Sequence, residues 1–154
     1  MKKYLILLTI LFASDIIYPH CQVPCGIYDD AVRIVMMQED FKTIKKAMKE
    51  INTLSKNTDG QSQNQLNRWV VTKEEHSTKI QRVVSDYFLT QRVKDTNRRY
   101  EDQLKSLHQI LVSAMKSKQS VNVKNIENGL KHIQDFTEIY FDEHGLDHLR
   151  KMKP

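Results

Sequence analysis

Ile34-Val35-Met36-Met37-Gln38-Glu39-Asp40-Phe41-Lys42-Thr43-Ile44-Lys45-Lys46-Ala47-Met48-Lys49-Glu50-Ile51 decides the fold class of this 154-residue chain. Ile34, Met37, Phe41, Ile44, Met48 and Ile51 recur in steps of three and four, which draws a narrow apolar stripe down one side of a helix. The pattern predicts a helix over about Asp30 to Leu54, with Asp29 or Asp30 as its N-cap. No alternation of period two competes with it.

The same periodicity repeats downstream. After a polar stretch, Ser55 to Gln63, read as a loop, a second helix is expected from about Asn64 to Gln91. Its apolar members are Leu66, Trp69, Val70, Ile80, Val83, Val84, Tyr87 and Phe88; Lys73 breaks the stripe and His76 continues it. A third, about Asn97 to Lys116, carries Tyr100, Leu104, Leu107, Leu111 and Met115, with Asp95 or Thr96 as cap. A fourth, about Asn122 to His144, carries Ile126, Leu130, Ile133, Phe136, Ile139 and Tyr140, and Gly145 reads as its stop. Gly129 is a mild local cost inside it. The fold class expected is therefore all-α, an antiparallel up-down four-helix bundle with its four stripes turned inward.

The charge pattern narrows the partners. Formal net charge is +5, and basic runs such as Lys42 to Lys46 sit among Glu39, Asp40 and Glu50. This reads as solvated helix faces rather than a nucleic-acid stripe. A modest positive field still favours a small anion.

The remaining information lies ahead of the first helix. Lys2 and Lys3 precede the apolar run Tyr4 to Ala13, too short to span a bilayer comfortably and read as an export signal. Residues 1–19 are thus expected to be a removed leader and 20–154 a single domain, free of the membrane after processing. The product would be periplasmic or extracellular, with a cytoplasmic location as the alternative. Pro19 fits poorly before a signal-peptidase cut. Either a dedicated maturation protease cuts before His20, or a cut near Ala13 or Ser14 is followed by trimming.

His20-Cys21-Gln22-Val23-Pro24-Cys25-Gly26-Ile27-Tyr28 follows, and it contains both cysteines of the chain. Pro24 and Gly26 set the backbone to curl, bringing the two sulfurs to one point. A cut before His20 adds a free amine and an imidazole. The spacing alone leaves two readings, a small disulfide ring and a site for a borderline or soft metal. If the Cys21 amide nitrogen also binds, square-planar nitrogen and sulfur donors suit Ni(II) or Cu(II) better than tetrahedral Zn(II).

His-Cys-x-x-Pro-Cys-Gly-x-Tyr at a processed N-terminus, followed by four helices, resembles nickel-containing superoxide dismutase. Ser85-Asp86-Tyr87-Phe88 resembles the segment that supplies that family's second active-site tyrosine. The resemblance implies disproportionation of superoxide to dioxygen and hydrogen peroxide, one nickel ion per chain cycling between its +2 and +3 states, and a homohexamer. It implies nickel bound by the His20 amine, the Cys21 amide and the Cys21 and Cys25 thiolates, with the His20 imidazole axial in the oxidised form. It also implies Tyr28 and Tyr87 at the open face of the metal, ordering water and admitting only small anions.

The chain departs from the family pattern in two places. Gln22 stands where many members carry aspartate, and the acid and arginine pair that supports the hook has no clear counterpart: Arg33 to Met36 offers no acid, and Arg68, Lys73 and Arg82 compete for the base. His76, on an apolar stripe, reads as a satisfied core residue. His108, His132, His144 and His148 are scattered.

Overall fold

A computed structural model describes residues 27–152, which excludes His20, Cys21 and Cys25. Among these residues the secondary structure is entirely helical. The elements are α1 (Asp30–Leu54), α2 (Gly60–Arg82) running on into a π-helical stretch (Val83–Arg92), α3 (Tyr100–Gln119), α4 (Lys124–Tyr140) and α5 (Glu143–Met152). No described helix is long and apolar enough to cross a membrane.

The stripe of α1 is its buried face: Ile34, Met37, Phe41, Ile44 and Met48 are fully enclosed. Asp29 starts the helix, its Oδ1 accepting from the amides of Ala31 at 2.7 Å and Val32 at 3.3 Å. These are donors the first turn cannot satisfy internally.

Four long helices pack in a ring, α1 on α2, α2 on α3, α3 on α4, and α4 back on α1. Paired residues give the directions. Along α1 and the α2 rod, Asp30 meets Tyr87, Asp40 meets His76, and Lys46 meets Trp69. Asp30 also meets Tyr140 at the far end of α4, while Phe41 faces Gly129 nearer its start. As one number rises the other falls, so both pairs are antiparallel.

Several boundaries differ from the sequence reading. The second helix begins at Gly60, because Asp59 accepts from the Ser62 amide at 2.9 Å and caps it; polar composition had masked that cap. Leu66 and Trp69 are only half-buried and Val70 is exposed, so the core positions of α2 fall to Lys73, Ser77 and Ile80. The third helix starts at Tyr100, with neither Asp95 nor Thr96 as cap. Asn97 makes the preceding turn, and Met115 is exposed.

Gly145 does not stop a helix. The chain leaves α4 at Tyr140 through an extended Phe141, and Asp142 then caps a fifth helix by accepting from the Gly145 amide at 2.8 Å. Gly145 is thus in the first turn of α5. That helix lies against α1, anchored by buried Leu149 and by His148, whose Nε2 is 2.6 Å from Asp29 Oδ2.

Candidate active site

The end of the ring where α1 begins is built on an aromatic layer. Phe88 meets Phe136 at 5.0 Å and Tyr140 at 5.6 Å, both edge to face, and Tyr87 meets Phe88 at 5.2 Å. Such geometries set the positive edge of one ring against the negative face of another. Phe88 and Phe136 are fully buried and close this end of the core.

Above that layer opens a pocket of about 260 Å3, lined by Tyr28, Arg33, Arg82, Asp86, Tyr87 and Gln91 among others. The rings of Tyr28 and Tyr87, 59 residues apart in sequence, have centroids 6.1 Å apart at an angle of 59°. Tyr87 is 8% exposed and Tyr28 42%, so one is held in the wall and the other forms the rim. The Arg33 guanidinium lies 3.9 Å from the Tyr28 ring centroid and 5.7 Å from that of Tyr87, within cation–π range. Neither Arg33 nor Arg82 has a salt-bridge partner among the described residues. Two guanidinium groups against the one Asp86 carboxylate leave the pocket lining net positive.

Beneath Tyr87 lies a group that the sequence reading missed. Asp30 Oδ2 accepts from Arg92 Nη2 at 2.6 Å, Arg92 Nε at 3.1 Å and the Tyr140 hydroxyl at 2.7 Å. Asp30 Oδ1 accepts from the Tyr87 hydroxyl. Burial first, and then the hydrogen bond to Asp30, push Tyr87 well above the ordinary tyrosine range. The same two causes push Tyr140 up to about 12. Both phenols stay protonated at neutral pH.

The π-helical stretch makes this group possible. Val93 N donates to Phe88 O at 2.9 Å, Thr90 Oγ1 to Ser85 O at 2.6 Å and Gln91 Nε2 to Asp86 O at 3.0 Å, each spanning five residues. The wider turn puts residues five apart on one face, so Arg92 comes round to the side of Tyr87. An α-helical reading leaves Arg92 off that face, and Asp30 was legible only as a cap. The π turn itself has no periodic signature to read.

The other candidates are distributed as follows. His76 is half-buried with Nδ1 2.6 Å from Asp40 Oδ1, about 16 Å along the rod from Tyr87 at the usual helical rise. It is a satisfied residue, as expected, and burial pushes its Asp40 partner up while the hydrogen bond pulls it back. Lys73 is bound to the far end of α3 and Arg68 is exposed on α2. Arg82 alone of the three candidate bases lines the pocket.

The implied metal has a strict requirement for donors. Among the described residues no group of three or more His, Cys, Asp or Glu is placed to hold an ion. The two thiols of the chain lie in the segment that leads into Tyr28. Cys25 is three residues before Tyr28, so its Cα lies within about 11 Å of that of Tyr28 however the chain runs. Its donor chemistry fits nickel, and its tether ends at the pocket rim.

A helical body with a cationic, phenol-lined pocket at one end, whose rim residue Tyr28 follows in sequence on the chain's two thiols, has the layout of a metal-dependent redox protein. Residues 15–144 match the family model of nickel-containing superoxide dismutase, and the chain belongs to that family. No curated protein and no solved structure matches it. The protein is an oxidoreductase that disproportionates superoxide, with nickel as its metal.

Proposed function

We propose that removal of residues 1–19 makes His20 the N-terminus of a four-helix nickel domain, residues 20–154. The hook, residues 20–28, then holds one nickel ion through the His20 amine and imidazole, the Cys21 amide nitrogen and thiolate, and the Cys25 thiolate. The observation that carries this reading is the short tether from Cys25 to a pocket walled by Tyr28 and Tyr87. Electron-rich thiolate and amidate donors favour the higher oxidation state, so bound nickel alternating between +2 and +3 supplies the electron acceptance and donation that disproportionation needs.

The protein's own side chains account for the rest. Arg33 and Arg82 draw a small anion toward the pocket. Tyr28 and Tyr87 narrow the approach and order water there, and neither phenol is needed as an electron carrier. The bulk of the fold contributes rigidity: the aromatic layer and the Asp30 group fix Tyr87, while the exposed Tyr28 follows the hook. We further propose export of the mature chain, its assembly as a homohexamer and cleavage by a maturation protease, all from the family's pattern and the leader.

The test is a protein that begins at His20, reconstituted with nickel and assayed for superoxide consumption. Cys21→Ser or Cys25→Ser is expected to abolish nickel binding while circular dichroism keeps its helical signal, since the core lies elsewhere. Blocking cleavage is expected to be as damaging, because an amide-linked His20 has no free amine to offer. Full activity of an uncleaved chain would refute the role of the amine.

A further inference from the structure

The two pocket tyrosines are treated alike by the sequence, but their hydroxyls meet different surroundings. Tyr87 has one proton and two acceptors in reach: an Asp30 carboxylate oxygen, and the Tyr28 carbonyl oxygen at 3.3 Å. A charge-assisted bond to carboxylate is the stronger and shorter of such choices. Asp30 is held to receive it, because Arg92 and Tyr140 occupy Oδ2 and leave Oδ1 turned toward Tyr87. The hydroxyl of Tyr28, a residue 42% exposed, makes no hydrogen bond among the described residues.

We propose that Asp30 is a positioning residue that takes the Tyr87 proton into a fixed hydrogen bond, so that Tyr87 faces the pocket as an acceptor only. Donation to an anion in the pocket then falls to the Tyr28 hydroxyl and the Arg33 guanidinium. The pocket is polarised, with an acceptor wall at Tyr87 and a donor rim at Tyr28 and Arg33. A small anion settles at the rim, and water that donates to Tyr87 lines the wall. This division of roles rests on the pocket being the site of dismutation, whereas the hydrogen-bond arrangement does not.

The charged and titratable groups around Tyr87 are Tyr28 just ahead of α1, Asp30 and Arg33 from α1, Tyr140 from α4, and Arg92 from its own rod, with Arg82 and Asp86 lining the same pocket. Asp30 is the acid bonded to the Tyr87 hydroxyl, and it favours the neutral phenol both by accepting its hydrogen bond and by opposing a second negative charge. Arg92 acts in the opposite sense, and its pairing with Asp30 limits that effect.

The experiment uses the full chain without nickel, carrying ring-labelled tyrosine, and follows the hydroxyl and ring signals by NMR. Tyr87→Phe identifies the resonances. In the wild-type protein the Tyr87 hydroxyl proton is expected to exchange with water at least tenfold more slowly than that of Tyr28. The Tyr87 ring is expected to remain at its neutral-phenol position up to alkaline unfolding. Asp30→Asn should speed that exchange about tenfold and bring the ring titration to lower pH. A purely structural Asp30 would move neither reading. Equal exchange of the two hydroxyls in wild type overturns the proposal, and so does an Asp30→Asn protein that folds but leaves Tyr87 unmoved. If Asp30→Asn does not fold, the wild-type comparison decides alone. No step needs nickel or activity, so failure here is distinct from failure of the dismutase assignment.

Discussion

Lys73→Met separates what holds the bundle together from what serves its pocket. Lys73 is 4% exposed in α2, with Nζ donating to Ser117 O at 3.0 Å, to Lys118 O and to Glu74 Oε1 at 2.8 Å. Ser117 and Lys118 lie in the last turn of α3, where carbonyls lack an intrahelical donor and the helix dipole presents negative charge. Methionine keeps the length and the apolar stem but removes all three donors. Hydrogen bonds to a charged group are worth roughly 1.5–3 kcal/mol each. Much of that gross value is offset, because methionine no longer buries an ammonium group, whose desolvation costs several kcal/mol. Glu74, with its side chain 45% exposed, adds at most a few tenths of a kcal/mol.

The net expected loss is about 2 kcal/mol. At roughly 2–5 °C per kcal/mol for a domain of this size, that is a melting midpoint lower by about 4–10 °C. Urea unfolding of the nickel-free chain measures the loss, and dismutation by the loaded chain, well below the midpoint, is expected to be unchanged. An unaltered midpoint would show that the three contacts contribute nothing. Unaltered stability with lost dismutation would mean that Lys73 serves the hook, contrary to its hydrogen bonds to the far end of α3.

Gly129→Ala should destabilise even though alanine is the better helix former by about 1 kcal/mol. The new Cβ would lie 2.8 Å from Phe41 Cε2, and closer to other ring atoms, against a ring with no exposure; overpacking of this kind costs about 1–3 kcal/mol, so a raised melting midpoint would contradict the packing. Arg33→Gln should lower kcat/KM severalfold and flatten its dependence on ionic strength, with Arg33→Lys restoring the slope; an unchanged slope in Arg33→Gln would remove its steering role. The His148 hydrogen bond is the main cause that holds Asp29 below the ordinary carboxylate value. A lowered carboxylate contributes stability above its unfolded pKa and loses it as pH falls through the folded one, so His148→Ala should flatten the loss of stability below about pH 4, as read from denaturation midpoints across acid pH.

The sequence made the helices legible where burial dominated, and less so where polar contacts chose the boundary. The α1 stripe and its Asp29 cap were read almost residue for residue, because six apolar side chains in steps of three and four admit one solution. Asp59 and Asp142 decided two helix starts through single side-chain bonds that composition does not weigh. The α5 helix has only Leu149 buried, so it had no stripe to find, and Gly145 drew attention as a stop. Val70 and Met115 follow the period but face outward, while Ser77 on α2 and Ser113 and Ser117 on α3 are the buried positions. At the site, Tyr28 and Tyr87 were legible by resemblance. Asp30 and Arg92 were not, because their meeting depends on a π turn and on the packing of three elements.

The placement of the site at the end of the ring follows from how completely the middle is filled. Ile44, Met48, Ile110 and Ile126 have no exposure, and a charged or thiolate group introduced among them would carry the full penalty of an unpaired buried charge. A helix end offers a different environment. Asp30 is in the first turn of α1, where the dipole favours a negative charge, and so the fold can keep a carboxylate there under half-buried phenols at modest cost. The π stretch delivers Arg92 to the same point from the opposite helix of the antiparallel pair. One carboxylate thus joins α1, the α2 rod and α4 at the mouth of the pocket. Tyr87 is held there by Asp30, while Tyr28, three residues from Cys25 in sequence, is 42% exposed at the rim. That arrangement also explains why loss of the hook's thiols should leave the Asp30 group, and with it the bundle, intact.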